Sequence, residues 1–189
     1  SVPPFGTVPG DRILESVVPL IVDGTEVDVT VVSTWEPEPS DVPLWIGGAI
    51  GMLLAAAALV VAVRHGPLAA VMLAPAAVGA FVGYWQYSSL PAETGPQLTW
   101  WVLPLVAGVA AACGLVPFVR SDRVIGPALL LVAGALLVVW AWMRRSGLTA
   151  AIVPTGAPNG LDRGATLLVV IAGAGAVVAA IMQLATTWL

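Results

Sequence analysis

The residues that most often bind metals are scarce and scattered in this sequence. Soft Cys and Met ligands suit Cu(I), and His suits many transition metals. The chain has one histidine, His65, one cysteine, Cys113, and four methionines without a recurring spacing. His65 follows Arg64 in a charged turn, and Cys113 lies in an apolar run, where we expect it to pack in the core. The sequence therefore predicts no metal ligand, no catalytic residue and no cofactor-binding residue.

Two consecutive arginines, Arg144 and Arg145, follow the fourth of five apolar segments. Their candidate partners are Glu36, Glu38 and Asp41, which lie in or beside a Pro-rich stretch before the first apolar segment. We interpret these five residues as an electrostatic clamp that holds the N-terminal segment to the rest of the protein. Binding of anionic lipid headgroups, or of an acidic partner, by the two arginines is the alternative.

Polar groups near the end of the second apolar segment are another candidate site. Tyr84, Gln86 and Tyr87 flank Trp85. They could contact a polar ligand or a quinone-like headgroup, but Tyr and Trp at a segment end are more typical of anchoring at the membrane interface. We expect no ionisable residue at the middle of any apolar segment, which argues against proton or ion translocation by this chain alone.

The apolar segments must face lipid. Hydrophobic residues make up 59% of the sequence and charged residues 10%, whereas a soluble domain carries roughly 25% charged residues. Each segment has about twenty residues, enough to cross roughly 30 Å of hydrocarbon at 1.5 Å per residue. We expect Asp162 to be the N-cap of the last helix. The predicted spans lie near 43–63, 67–89, 98–119, 124–143 and 164–187.

Two pairs of glycines at four-residue spacing, Gly47/Gly51 and Gly79/Gly83, lie in the first two spans. Small residues at this spacing let helix backbones approach closely in lipid. Tight packing inside the bundle is one interpretation, and docking against another membrane subunit is the other.

The segment before the first span is acidic and is predicted to contain a β-hairpin. Residues 1–41 hold eight of the eleven acidic residues and one arginine, a formal charge of −7. Asp23-Gly24 is favoured in tight hairpin turns, and a period of two follows it. We predict a hairpin over 17–33, preceded by an extended arm over 1–16, with Pro19 on an edge strand.

The hairpin presents Val27, Val29 and Val31 on one face. Two strands alone are marginal in water, so this valine face needs a cover. We expect the cover to come either from a larger β-domain whose remainder precedes Ser1 or from a partner protein. The predicted organisation is thus an extracytoplasmic segment, 1–41, and a transmembrane helical bundle, 42–189.

The fold class is mainly α and membrane-embedded, with about five transmembrane helices after the short hairpin. Arg64 and His65 follow the first span, and no basic residue lies between Arg12 and that span. The positive-inside rule then predicts an extracytoplasmic N-terminus and a cytoplasmic C-terminus in a bacterial cell membrane. Arg144, Arg145 and Arg163 fall on the outer side in this topology, against the rule.

Short stretches around the hairpin, the linker and the last loop carry a resemblance. They are Pro19-Leu20-Ile21-Val22-Asp23-Gly24, Val27-Asp28-Val29, Trp35-x-Pro37-x-Pro39-Ser40, Val153-Pro154-Thr155 and Leu161-Asp162-Arg163. The sequence resembles uncharacterised actinobacterial exported membrane proteins, in which a periplasmic β-domain similar to copper-resistance ectodomains precedes a helical bundle. The resemblance implies an association with copper through a segment preceding Ser1, and no residue of this chain inherits a ligand role.

Three functions are compatible with these features. The first is a non-catalytic accessory or scaffold subunit of a membrane complex, such as a respiratory or copper-dependent oxidase or monooxygenase assembly. The second is a copper-handling protein whose metal site lies in a preceding domain, and the third is a small-solute transporter. The expected partners are membrane lipids and other subunits. Nucleic acid is not expected, because the acidic segment lacks a basic face.

Overall fold

The computed structural model describes residues 6–36, 40–63, 69–94, 97–116, 122–150 and 155–187. The chain divides into two compact units, Ser1–Pro39 and Ser40–Leu189. We call them the hairpin unit and the bundle unit and describe each by itself.

The hairpin unit contains two antiparallel strands, β1 (Arg12–Val22) and β2 (Thr25–Thr34). Asp23 and Gly24 both have positive φ, 51° and 78°, as a two-residue type I′ turn requires. The predicted hairpin is therefore confirmed. β1 begins five residues earlier than expected, because the turn-forming prolines and glycines of the arm end at Gly10. Backbone hydrogen bonds join Gly10 and Asp11 to Trp35 and extend the pairing beyond the strands.

The register of the strands separates an apolar face from a face of mixed polarity. Val18 pairs with Val29 and Leu20 with Val27. Because directly opposed residues share a face, we define the valine face as Leu14, Ser16, Val18, Leu20, Val27, Val29 and Val31. The opposite face is more polar and carries Glu15, Val17, Pro19, Ile21, Glu26, Asp28, Thr30 and Val32.

The described residues of the bundle unit form five helices. They are α1 (Val42–Val63), α2 (Ala69–Ser88), α3 (Thr99–Cys113), α4 (Ile125–Met143) and α5 (Asn159–Thr186). Short 3₁₀ turns cover Ala92–Thr94 and Arg145–Leu148. Among the described residues, α1, α2, α4 and α5 are long and apolar enough to cross a membrane, and α3 has 15 residues. The predicted mainly helical class with an N-terminal hairpin is confirmed, and four helices that could cross a membrane are consistent with the predicted membrane class. The predicted span 98–119 is longer than α3, which ends at Cys113.

Helix α5 packs along α1, α4 and α2, while α3 packs between α2 and α4. Small side chains fill the core, which includes Ala58, Ala107, Ala133 and Ala172, all fully buried. Such residues let helices approach closely in lipid, where no hydrophobic driving force brings helices together and close packing must do so. Cys113 was expected in this core and is exposed instead, because it lies in the last turn of α3 on an outward face.

Both predicted glycine pairs lie against neighbouring helices of the same chain. A Cβ at Gly47 would overlap the carbonyl of Gly164, and one at Gly51 would lie 2.9 Å from the carbonyl oxygen of Leu168. These contacts bring α1 onto α5. In α2, Gly79 lies on Pro104, and Gly83 lies on the Trp100 carbonyl. These glycines therefore pack within the bundle, as the first of the two interpretations proposed.

Candidate functional site: a buried charge cluster at one end of the bundle

Arg144 is the centre of the most polar region inside the bundle. Its guanidinium donates hydrogen bonds to the side-chain oxygen of Gln86 and to the carboxylate of Asp162, with which it also forms an ion pair. The guanidinium carbon lies 4.8 Å from the ring centre of Trp140. Arg144, Asp162 and Gln86 are 7%, 2% and 6% exposed, so the charges meet almost out of water.

Three helix ends bring these side chains together. Arg144 directly follows the last residue of α4, Gln86 lies in the last turn of α2, and Asp162 lies in the first turn of α5. A carboxylate in the first turn of a helix interacts favourably with the helix dipole. Burial lowers the pKa of the Arg144 guanidinium, and the charge of Asp162 opposes this shift.

The predicted N-cap role of Asp162 is wrong. Helix α5 begins at Asn159, and Pro158 occupies the N-cap position with φ −54° and ψ 128°. Asp162 is therefore inside the helix, where its side chain turns to Arg144 and its backbone carbonyl accepts a hydrogen bond from the Thr166 hydroxyl, 2.9 Å.

A second arginine, Arg163, joins three segments at the same end. Its Nε and one terminal nitrogen donate to the carbonyl of Leu148 at 2.8 and 2.6 Å. Its other terminal nitrogen donates to the carbonyl of Ser40 at 3.4 Å. The Asp41 carboxylate lies 3.6 Å away, with its side chain 71% exposed. Arg163 thus connects the turn after α4 and the residues before α1 to the start of α5.

An indole hydrogen bond adds α3 to this arrangement. The Trp140 ring N–H in α4 donates to the backbone carbonyl of Trp100 in α3. The same carbonyl contacts the Gly83 position of α2. We call the whole region the polar end of the bundle. Its side-chain groups come from Asp41, Gln86, Trp140, Arg144, Asp162 and Arg163.

The predicted clamp residues have these positions in the structure. Arg144 pairs with Asp162, and Asp41 pairs with Arg163, so the partners of both differ from the expected ones. Arg145 is exposed, donates to the carbonyl of Trp142 at 3.0 Å and lies 4.7 Å from the ring centre of that residue. Glu36 belongs to the hairpin unit and Glu38 lies outside the described residues, so their part in a clamp stays a prediction.

The valines predicted to need a cover lie in the hairpin unit and are partly exposed: Val27 by 42%, Val29 by 39% and Val31 by 44%.

In the bundle unit, Tyr84 and Tyr87 lie with Trp101 in an aromatic group, with ring centres 6.1 and 6.5 Å from the indole. Gln86, predicted as part of the same group, turns inward to Arg144 instead.

The sequence patterns did not predict that Gln86, Asp162 and Arg163 would pair with charged residues at the polar end. A signal was available, because each is a polar residue within one turn of an apolar helix end. The paired cluster can hold helices in place, and its charges are neutralised by one another. Within the described parts of the chain, no group of three or more His, Cys, Asp and Glu side chains is placed to hold a metal ion.

Comparison of the chain with protein-family models, with curated proteins and with solved structures finds no match. The contacts and charges of the chain itself are therefore the grounds on which a function is proposed.

Proposed function

We propose that this protein is a non-catalytic accessory subunit of a bacterial membrane protein complex, which it joins through the valine face of its hairpin. The observation that carries this proposal is the exposure of Val27, Val29 and Val31 on one side of a two-stranded sheet. A hairpin with an open apolar face is marginally stable in water, and contiguous exposed apolar surface is typical of protein interaction sites.

The bundle unit serves as the membrane anchor in this proposal and crosses the membrane five times. The polar end supports this number, because α1, α3 and α5 begin there and α2 and α4 end there. The chain must return to the opposite end between the start of α3 and the start of α4. The 15 residues of α3 cover about 22 Å of that path at 1.5 Å per residue.

The polar end faces the extracytoplasmic side in this proposal, together with the hairpin. Arg144 and Arg163 then lie on the side where the positive-inside rule expects few basic residues. Each of them has a carboxylate partner, Asp162 for Arg144 and Asp41 for Arg163. Two of the three basic residues at this end are therefore neutralised within the chain. The cytoplasmic ends would carry Arg64, Arg120 and Arg123 by their positions in the sequence, which agrees with the rule.

The paired charges favour an architectural role for the bundle over a catalytic one. A catalytic arginine or carboxylate must meet a substrate, and the buried groups Arg144 and Asp162 meet each other and Gln86. The cluster joins α2, α4 and α5, while Arg163 joins α5 to the start of α1.

The test is the mass of the assembly in native membranes. Replacing Val27, Val29 and Val31 with Thr removes apolar surface while keeping the β-branched shape that strands favour. The matched control replaces Val17 and Val32, on the opposite face, with Thr. After mild solubilisation, we expect the wild type and the control to migrate as a complex well above the mass of one chain, 19.3 kDa, plus detergent.

We expect the triple variant to migrate as a single chain. A wild-type protein that migrates as a single chain from its own membranes, with the hairpin intact, would overturn the proposal. Equal loss of the complex in the triple variant and in the control would show that the valine face is not the contact.

A further inference from the structure

The two edges of the hairpin are not equivalent. In a hairpin with a two-residue loop, the pair next to the loop, Val22 and Thr25, exchanges backbone hydrogen bonds, and bonded and non-bonded pairs alternate from there. Pro19 and Asp28 therefore form a non-bonded pair, whose backbone groups point away from the partner strand. Because proline has no N–H, the outer edge of β1 lacks a donor at this position.

The outer edge of β2 has no such interruption. By the same alternation, Glu26, Asp28, Thr30 and Val32 direct their backbone N–H and C=O groups outward. β2 contains ten residues without a proline. Within the part of the chain that the structure describes, the sheet has these two strands alone, so the edge of β2 is open. An unpaired edge of this kind is a template for another strand.

The side chains along β2 indicate which residue types an added strand would need. One side presents Val27, Val29 and Val31, and the other presents Glu26 and Asp28. The hairpin unit holds seven acidic residues and one arginine, a formal charge of −6. If a strand is added beside β2, residues of the two strands that lie directly opposite each other share a face of the sheet. Opposite charges at such positions are favourable, and like charges are unfavourable.

The geometry points to strand addition at the edge of β2 by a partner protein whose strand alternates apolar and basic residues. The apolar residues would extend the valine face and the basic residues would meet Glu26 and Asp28. Main-chain hydrogen bonds would provide affinity and the alternating side chains specificity, as in other cases of β-strand addition. A second copy of this chain is a poorer occupant, because two acidic hairpins would meet. This inference rests on the proposed function and names its partner's chemistry.

The probe is an eight-residue peptide of alternating Val and Lys, blocked at both ends and added to the purified full chain in neutral detergent. Amide hydrogen exchange along the hairpin is the readout. We expect exchange to slow at Glu26, Asp28, Thr30 and Val32 and to stay unchanged along β1. A peptide of the same composition with its Val and Lys residues in separate blocks, and one of alternating Val and Glu, should bind at least about ten-fold more weakly.

Two matched variants separate edge pairing from simple charge attraction. Thr30→Pro removes an outward N–H from β2, and Val17→Pro removes the outward N–H of the residue paired with it on β1. Neither change alters a side-chain charge or removes a bond between the two strands. We expect Thr30→Pro to weaken binding of the Val-Lys peptide at least about ten-fold, because the added strand loses a main-chain bond and meets a proline ring, while Val17→Pro binds as the wild type does.

Charge reversal tests the specificity. The double variant Glu26→Lys with Asp28→Lys should prefer the Val-Glu peptide, while Glu15→Lys, on the same face but on β1, should keep the original preference. Equal binding to both proline variants, or no slowing of exchange in β2, would overturn strand addition. A purified chain that is dimeric, with β2 already protected without peptide, would assign the edge to a second copy and also overturn it.

Failure of this inference and failure of the proposed function give different results. If the partner covers the valine face without pairing to β2, the Thr30→Pro protein keeps the large native assembly while the triple Thr variant loses it. If there is no partner, the wild-type chain is solitary from the start.

Discussion

The buried charged side chains at the polar end of the bundle are paired within the chain, whereas the apolar face of the hairpin is left exposed. Arg144, Asp162 and Gln86 are withdrawn from water and bonded to one another. On the hairpin, Val27 and Val29 pair across the strands with Leu20 and Val18, and all four remain at least 39% exposed. The charges of the first region are thus paired within the chain, although the buried Arg144 Nε donates no hydrogen bond among the described residues, and the second region has an exposed apolar face.

This difference indicates which region of the chain is stabilised by its own contacts and which region needs a partner protein. A buried charge without a partner is strongly unfavourable, so the polar end must be completed by the chain itself for the bundle to assemble in a membrane. Exposed valines carry a smaller penalty, which a partner can remove after the chain has folded. The bundle is therefore expected to fold as an independent unit, and the hairpin is expected to gain order when it is bound.

The largest effect should come from breaking the buried ion pair. Asp162→Ala leaves the Arg144 guanidinium buried without a counter-charge, and we expect a loss of about 3–5 kcal/mol in the free energy of unfolding. Glu93→Ala is the control, since it removes an exposed carboxylate for which the structure shows no ion pair among the described residues, and should cost at most about 1 kcal/mol. Detergent-induced unfolding of the purified chain measures both.

A double variant sharpens the same prediction. Replacing Arg144 with Met and Asp162 with Leu removes both charges together and should recover most of the loss, because apolar side chains can replace a buried ion pair. Equal destabilisation by Asp162→Ala and Glu93→Ala would mean that the buried ion pair contributes no more to stability than an exposed carboxylate does, and the contrast between the two regions would disappear.

The close contact of α1 with α5 should give the next largest effect. In Gly47→Ala the added methyl group would meet the backbone carbonyl of Gly164, and two backbones can separate only by moving a helix. We expect a loss of about 1–3 kcal/mol in the free energy of unfolding, as for other overpacked sites.

Gly108→Ala in α3 is the matched control for this change, because its new methyl group would lie 3.5 Å from the Cβ of Ala76, an ordinary contact. The same unfolding assay compares the two variants. If Gly47→Ala is no less stable than Gly108→Ala, then α1 does not pack on α5 as closely as the structure shows. The bundle would then lack the tight internal packing on which its contrast with the hairpin depends.

The turn of the hairpin should give a smaller effect, confined to the hairpin unit. Gly24 has φ +78°, where a residue with a Cβ is disfavoured by about 1–2 kcal/mol. In Gly24→Ala we expect faster amide exchange along β1 and β2 and an unchanged unfolding midpoint of the bundle. Asp23→Asn is the control, because Asn tolerates the left-handed region, and should exchange as the wild type does.

Local patterns made the elements predictable. The hairpin followed from the alternation of Val27, Val29 and Val31 after Asp23-Gly24, because turn and strand chemistry act over a few residues. The helices followed from apolar runs, with ends displaced by up to six residues, as at Cys113, and by five at Asn159. These patterns did not predict the earlier start of α5, which begins directly after Pro158 at the N-cap position.

The partners in the polar end could not be predicted in the same way. Arg144 and Asp162 are 18 positions apart, and Arg144 and Gln86 are 58 apart. Their meeting depends on how α2, α4 and α5 pack, which is decided by small residues such as Gly134 and Gly173 along the α4–α5 contact. The sequence placed polar residues near helix ends but did not determine which ends would meet.

The smallest expected effect concerns Asp122, which is exposed and has the capping role that Asp162 lacks. Its carboxylate accepts hydrogen bonds from the backbone N–H groups of Val124 and Ile125, both 2.8 Å, before α4. The bonds from Ile125 and Val124 hold the pKa of Asp122 below its ordinary value of 3.8. Because the folded-state pKa is depressed, the stabilisation is complete above 3.8 and is lost as the pH falls through the folded-state value.

Asp122→Ala should therefore unfold at a slightly lower temperature than the wild type near neutral pH, and the difference should shrink as the pH falls below 3.8. Asp122→Asn keeps an acceptor that does not titrate, so its difference from Asp122→Ala should not change with pH. Thermal unfolding between neutral pH and pH 3 measures all three proteins. A difference that stays constant with pH between wild type and Asp122→Ala would mean that the ionised carboxylate does not cap α4. An exposed acid would then contribute to the bundle as little as the acids of the unpartnered hairpin.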